Sequence, residues 1–137
     1  MKKLPNKPSK LLELALKDLR AVEADGRYIV DMCTYHNKRS KGGKCHVCLA
    51  GAVMAKSLKA KCGESYAPYS YEAGVRDQLF TLKCFCDGVI SFGLLFTSTP
   101  IPPDLPDFVG VTPYEESPSE FKRDMKKIIK LLKKAGL

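Results

Sequence analysis

Two short-spaced pairs of thiol and imidazole side chains lie close together in this chain: Cys33-Thr-Tyr-His36 and, eight residues on, Cys45-His-Val-Cys48. The second pair runs straight into Leu-Ala-Gly-Ala-Val-Met-Ala. That segment predicts a helix from Cys48 to about Ala60, ended by Cys62-Gly63. Ala50, Gly51 and Ala52 leave almost no side chain in its first turn, so another backbone can approach closely there. Between the pairs, Lys38-Arg-Ser-Lys-Gly-Gly-Lys44 is a polar, glycine-containing turn. A hairpin at this turn would bring Cys33 and His36 back alongside Cys45 and Cys48.

Such a hairpin admits several chemistries. Zinc takes four tetrahedral ligands, commonly two short-spaced pairs on turns, and Cys33, His36, Cys45 and Cys48 satisfy both count and spacing. Against zinc, the glycines that usually follow knuckle cysteines are missing. In an extended Tyr28–Tyr35 segment, Cys33 and His36 would also face opposite ways unless the chain turns at Thr34-Tyr35. Buried structural thiols are therefore favoured, because cysteine is among the most buried residue types. Cys45-His-Val-Cys48 could also be a redox pair at a helix N-terminus, where the dipole lowers a thiol pKa. The βαβ pattern that usually frames such a pair is absent. His46 beside a cysteine has no orienting acid or oxyanion loop at recognisable spacing, which argues against a hydrolase. Cys84 and Cys86, one residue apart, read as helix packing.

With 137 residues and 45% hydrophobic composition, the chain is long and apolar enough for one folded domain over residues 1–137. No apolar run approaches the roughly 20 residues that span a bilayer. The longest, Val89 to Phe96, is broken by Ser91 and Gly93. The first residues lead into an amphipathic helix rather than an apolar signal region, so a cytoplasmic protein is expected. Its six cysteines should then be thiols, metal ligands or small apolar groups, not a disulfide framework.

The net charge of +8, from 23 Lys and Arg against 15 Asp and Glu, favours contact with nucleic acid, an acidic protein or an anionic surface. A solvated basic surface that only keeps the chain soluble is the plainer alternative. Lysine dominates over arginine, so bidentate reading of bases or phosphates is disfavoured. The candidate binding surface joins Lys38, Arg39, Lys41 and Lys44 of the hairpin turn to Lys126, Lys130, Lys133 and Lys134 near the C-terminus.

Leu12, Leu16 and Leu19, widened by Leu11, Ala15 and Val22, predict an amphipathic helix over residues 9–25, stopped by Asp25-Gly26. Arg27 to Met32 reads as a short strand. Ser70 opens a predicted third helix with a Val75, Leu79, Leu82, Cys86 stripe. Val89 to Phe96 leans to helix. Residues 98–113, with five prolines, form a strap that cannot be helical. Its apolar residues (Ile101, Leu105, Phe108, Val109, Val111) should dock it on the core. Ser117-Pro-Ser-Glu120 is a capping box for a helix over about 118–135, striped by Phe121, Met125, Ile128 and Leu132 and ended by Gly136. The fold class expected is mainly α, four or five helices with a small β-hairpin; α+β is the alternative.

The run Cys45-His-Val-Cys-Leu-Ala-Gly-Ala-Val-Met-Ala55, preceded by Asp31-Met-Cys-Thr-Tyr35 and followed at the chain end by the Phe121…Met125…Leu132…Gly136-Leu137 helix, resembles small accessory proteins of tailed bacteriophages and prophages. The resemblance implies a role in the bacterial host cytoplasm and no particular activity. The function expected is non-enzymatic: binding of a host or phage macromolecule through the basic surface, a protein in preference to nucleic acid, without membrane contact or cofactor. The alternatives are a nucleic-acid-binding module stabilised by one structural zinc and, more distantly, a thiol oxidoreductase using Cys45 and Cys48.

Overall fold

A computed structural model describes residues 3–38, 43–62, 71–85, 89–91 and 108–137. Among them are four helices and two small sheets. The elements run α1 (Pro8–Glu23), β1 (Tyr28–Val30), β2 (His36–Lys38), β3 (Cys45–Val47), α2 (Leu49–Lys56), α3 (Ala73–Cys84), β4 (Val89–Ser91), β5 (Phe108–Gly110) and α4 (Pro118–Lys134). The mainly α class with a small β-hairpin is what the sequence pattern predicts. No described helix is long and apolar enough to cross a membrane.

The helices follow from their stripes. Leu11, Leu12, Ala15, Leu16, Leu19 and Val22 of α1 are all buried. Pro8 stands at the start of α1, where its missing N–H costs nothing. Ser117 caps α4 by accepting from the Glu120 N–H. At the far end Gly136 takes φ of 79°. Its N–H donates to the Lys133 carbonyl, and the Leu137 N–H donates to that of Leu132. This is a left-handed glycine cap that satisfies the last orphan carbonyls. α2 is apolar all round, with Leu49 to Ala55 buried. It packs between α1 and α3 and against the hairpin, while α1 also carries α4. One core results, built from α1, α2, α3, α4 and the inner face of the sheet.

Several boundaries differ from the sequence expectations. α2 stops at Lys56 rather than Ala60, because the Leu58 and Ala60 N–H groups turn back onto the Val53 and Met54 carbonyls. Glu72, not Ser70, precedes α3; Ser70 and Cys86 lie outside the described residues. The Val89 run begins as a strand, not a helix, since Val89–Ser91 pairs antiparallel with Phe108–Gly110 of the strap. Long-range pairing decides that element, and local periodicity does not report it. Val111 docks the strap's end, buried in the core, while Pro100, Ile101, Pro102, Pro103, Leu105 and Pro106 lie outside the described residues.

One buried charge ties α1 to the end of α2. Asp18 accepts a hydrogen bond from the Ser57 hydroxyl. Burial raises its carboxyl above the ordinary 3.8; the Ser57 bond and the nearby Lys17, Lys59 and Lys56 only partly oppose this. With the folded pKa raised, the group's contribution is fully present below the unfolded pKa and is lost as pH rises through the folded value. Asp18→Asn keeps the acceptor and removes the charge. It is therefore expected to raise the melting temperature at pH 7 and to bring no gain at pH 3. A gain independent of pH would contradict this account.

Candidate functional site

The hairpin sorts its side chains by alternation. In the sheet, ordered β1-β3-β2, β3 runs parallel to β1 and antiparallel to β2. Val47 faces Val30 and His36, and Cys45 faces Tyr28 and Lys38. On the face toward the core Cys45, Val47 and His36 are buried. His46, between them on β3, aligns with Ile29 and Asn37 on the other face. Ile29 there is 41% exposed.

A turn separates the members of the first Cys/His pair. The Thr34 N–H donates to the Asp31 carbonyl at 3.1 Å. The Asp31 carboxylate accepts from the Cys33 N–H at 3.0 Å and from the Thr34 hydroxyl at 3.2 Å. Cys33 thus stands exposed at a turn corner. Cys48 is the residue before α2, fully buried, and its Sγ accepts from the Gly51 N–H at 3.4 Å. Its own N–H donates to the Tyr35 carbonyl. Gly51 meets that same carbonyl so closely that a Cβ there would lie 1.5 Å from the Tyr35 oxygen. The close backbone approach expected from Ala50-Gly51-Ala52 is realised here.

The four expected metal ligands are therefore not gathered as a quartet. Cys45 is bonded to Cys62, 17 residues on, rather than standing as a thiol near Cys48. This corrects the expectation that none of the cysteines is bridged, and it separates the two members of the C-x-x-C pair. Among the described residues, the one Cys/His/acid group whose ligand atoms all lie within 4.8 Å of one another is His36, Cys45 and Cys62. Cys33 and Cys48 are outside it. Nothing local in the sequence marks Cys62 as a partner; the basic run Lys56-Ser-Leu-Lys59-Ala-Lys61 that leads into it is the one local signal near it.

The Cys45–Cys62 link closes one wall of a cleft of about 610 Å³. Arg27, Lys44, Lys56, Lys59 and Lys61 line it, with the Tyr28 ring. Asp25 holds two of these cations: Arg27 donates to its two oxygens at 3.1 and 2.7 Å, and Lys56 at 2.9 Å. The Arg27 guanidinium first, then its N–H and Lys56, keep the Asp25 carboxyl well below the ordinary carboxylate range. Both cations also lie over the Tyr28 ring, at 5.7 and 5.2 Å from its centre. Lys44, Lys59 and Lys61 make no ion pair among the described residues. Lys59 has φ of 57°, the left-handed region that an L side chain enters at a cost of roughly 1–2 kcal/mol. Only Lys44 of these five belonged to the expected basic surface.

The remaining expected cations divide. Arg39 and Lys41 lie outside the described residues, and Lys38 ends β2. Lys126 and Lys130 line a second groove of about 450 Å³ with Lys17, Arg20, Leu16 and Ile129. Lys133 is engaged by Glu13 at 3.1 Å, and Lys134 borders the half-exposed Leu131.

His46 does have an orienting acid, contrary to the sequence reading: its Nδ1 lies 3.0 Å from Asp31 Oδ2. Cys45, its neighbour in sequence, sits on the opposite face of β3 and is engaged with Cys62. Comparison with known proteins returns no matching family model, no matching curated protein and no matching solved structure.

Proposed function

We propose that this chain is a non-enzymatic binding protein that takes an acidic segment of another protein into the cleft beside Cys45 and Cys62. One observation carries the reading: Lys59 lines that cleft in a backbone conformation that glycine would adopt at lower cost. A residue that only filled a turn would not need an ammonium group there. Lys44, Lys59 and Lys61 supply charge that is tied up in no ion pair among the described residues, while Asp25 fixes Arg27 and Lys56 against Tyr28. Lysine, a flexible point charge, suits carboxylates presented at varied positions better than the fixed fork needed to read bases. In this reading the setting is a bacterial cytoplasm and the target a host or phage protein.

Anisotropy titrations with a labelled polyglutamate peptide and a labelled DNA duplex test this. The peptide is expected to bind at about 50 mM salt and to be released near 1 M, where screening shortens to about 3 Å. Replacing Lys44, Lys59 and Lys61 with glutamine removes three rim charges of about 0.2–1 kcal/mol each, a loss of about 3- to 140-fold. Lys59→Gly should weaken binding while stabilising the fold by about 1 kcal/mol. Binding that depends on Lys126 and Lys130 alone, or that selects the duplex over the peptide, would overturn the assignment.

A further inference from the structure

The cleft's wall holds chemistry that a binding surface does not need. Cys45 Sγ, Cys62 Sγ and a His36 ring nitrogen all lie within 4.8 Å of one another. His36 is fully buried and Cys45 is 3% exposed, whereas Cys62 is half-buried and lines the cleft. A histidine with no accessible surface, placed beside two sulfurs, gives the pair a third soft donor. Strand register sets this arrangement: His36 and Cys45 lie on the same face of the hairpin, on diagonal positions of adjacent strands.

We propose that, once reduced, the protein holds one zinc(II) ion on Cys45 Sγ, Cys62 Sγ and a His36 ring nitrogen, so that disulfide and metal are alternative occupants of one site. A dithiol reductant opens the link. Its thiolate attacks the accessible Cys62 sulfur and Cys45 leaves; its second thiol then resolves the mixed disulfide. The reductant becomes a cyclic disulfide, and two electrons and two protons pass to Cys45 and Cys62. Zinc then displaces the two thiol protons. Tetrahedral zinc at about 2.3 Å from sulfur requires the two sulfurs about 3.8 Å apart, a separation that breaking the bond permits. Two thiolates neutralise the ion, so the surrounding lysines do not oppose it. Three protein donors leave a fourth tetrahedral position for water or a further ligand. This makes the site responsive to compartment: in a reducing cytoplasm a bridge of this kind is transient, and a His/Cys₂ metal site can replace it. The inference stands apart from the acidic-target reading, since it concerns the sulfurs and His36 and not the lysines.

Cobalt(II) titration of the full chain, reduced and freed of reductant under anaerobic conditions, is the test. One equivalent is expected to give near-ultraviolet thiolate-to-cobalt charge transfer with the intense visible bands of a tetrahedral site, both bleached by zinc. The oxidised protein should give neither, and Cys62→Ser should lose them. Cys33→Ser should retain them. His36→Gln should alter the visible bands, and Cys62→Ser keeps the test decisive if that buried variant fails to fold. Absence of stoichiometric binding to the reduced chain would overturn the proposal. So would bands that survive Cys62→Ser or that vanish on Cys33→Ser; the latter would restore the ligand set of the first Cys/His pair.

Discussion

Alanine at Gly51 is expected to cost at least about 4 kcal/mol, a large share of the roughly 5–15 kcal/mol that holds a domain of this size together. The added methyl carbon would stand 1.5 Å from the Tyr35 carbonyl oxygen, 2.7 Å from its carbon and 3.1 Å from Val47 Cβ. Two of these atoms are backbone, so no rotamer change relieves the clash. Tyr35 cannot retreat freely, because its carbonyl accepts from the Cys48 N–H and His36 follows it into β2. Nor can α2, which is buried from Leu49 to Ala55. The substitution therefore separates α2 from the hairpin and, with it, Cys45 from the end of α2. Gly74 supplies the internal comparison: it lies in α3 with nothing within 4 Å of a Cβ, so Gly74→Ala should stabilise by up to about 1 kcal/mol. Urea midpoints for the two variants should move in opposite directions. A Gly51→Ala midpoint equal to that of the parent would mean that the helix does not sit on the Tyr35 carbonyl.

This contact also shows where sequence reading succeeds. Ala50-Gly51-Ala52 announces a close approach, because absent side chains are a local property. It does not say what approaches, because Tyr35 reaches α2 only through the Asp31 turn and the register of β2 on β3. The same division runs through the fold. α1 and α4 are legible from their stripes and caps, since burial on one face repeats with the helical period. The end of α2 is not, because it depends on Lys59 adopting a left-handed turn. β4 is not, because its three residues are strand only through pairing with the strap.

The candidate site was half legible for the same reason. His36 and Cys45 are brought together by the hairpin that the Lys38–Lys44 turn predicts. Cys33 drops out because Asp31 folds the chain around it, and Cys48 because its sulfur caps α2. Cys62 enters from the far end of α2, a distance set by helix length and packing rather than by spacing. The basic cleft draws Arg27, Lys44, Lys56, Lys59 and Lys61 from separate segments. A net charge of +8 counts such residues without grouping them.

Phe121→Ala should destabilise the protein by about 3–5 kcal/mol, the cost of emptying a fully buried aromatic site. Phe121 is 0% exposed, and Tyr114 meets its ring edge-on, with centroids 5.7 Å apart. The loss spreads because Tyr114 is itself a clamp. Its hydroxyl donates to Glu23 at the end of α1, and Lys122 donates to the same carboxylate at 2.8 Å. Burial, and then the Glu23 carboxylate, push the Tyr114 phenol above its ordinary pKa, so the hydroxyl remains a donor throughout the neutral range. Phe121 thus sets the docking of α4 on α1, and with it the groove that carries Lys17, Arg20, Lys126 and Lys130. Leu131, on the same helix but 38% exposed, provides the contrast: Leu131→Ala should cost under about 1 kcal/mol. Phe121→Leu keeps much of the volume and loses the edge-on contact, so about 1–2 kcal/mol is expected. Urea unfolding followed by far-ultraviolet circular dichroism should place the Phe121→Ala midpoint lowest, Phe121→Leu next and Leu131→Ala nearest the parent. If Phe121→Ala and Leu131→Ala unfolded at the same urea concentration, α4 would not be seated on α1 through its Phe121 face.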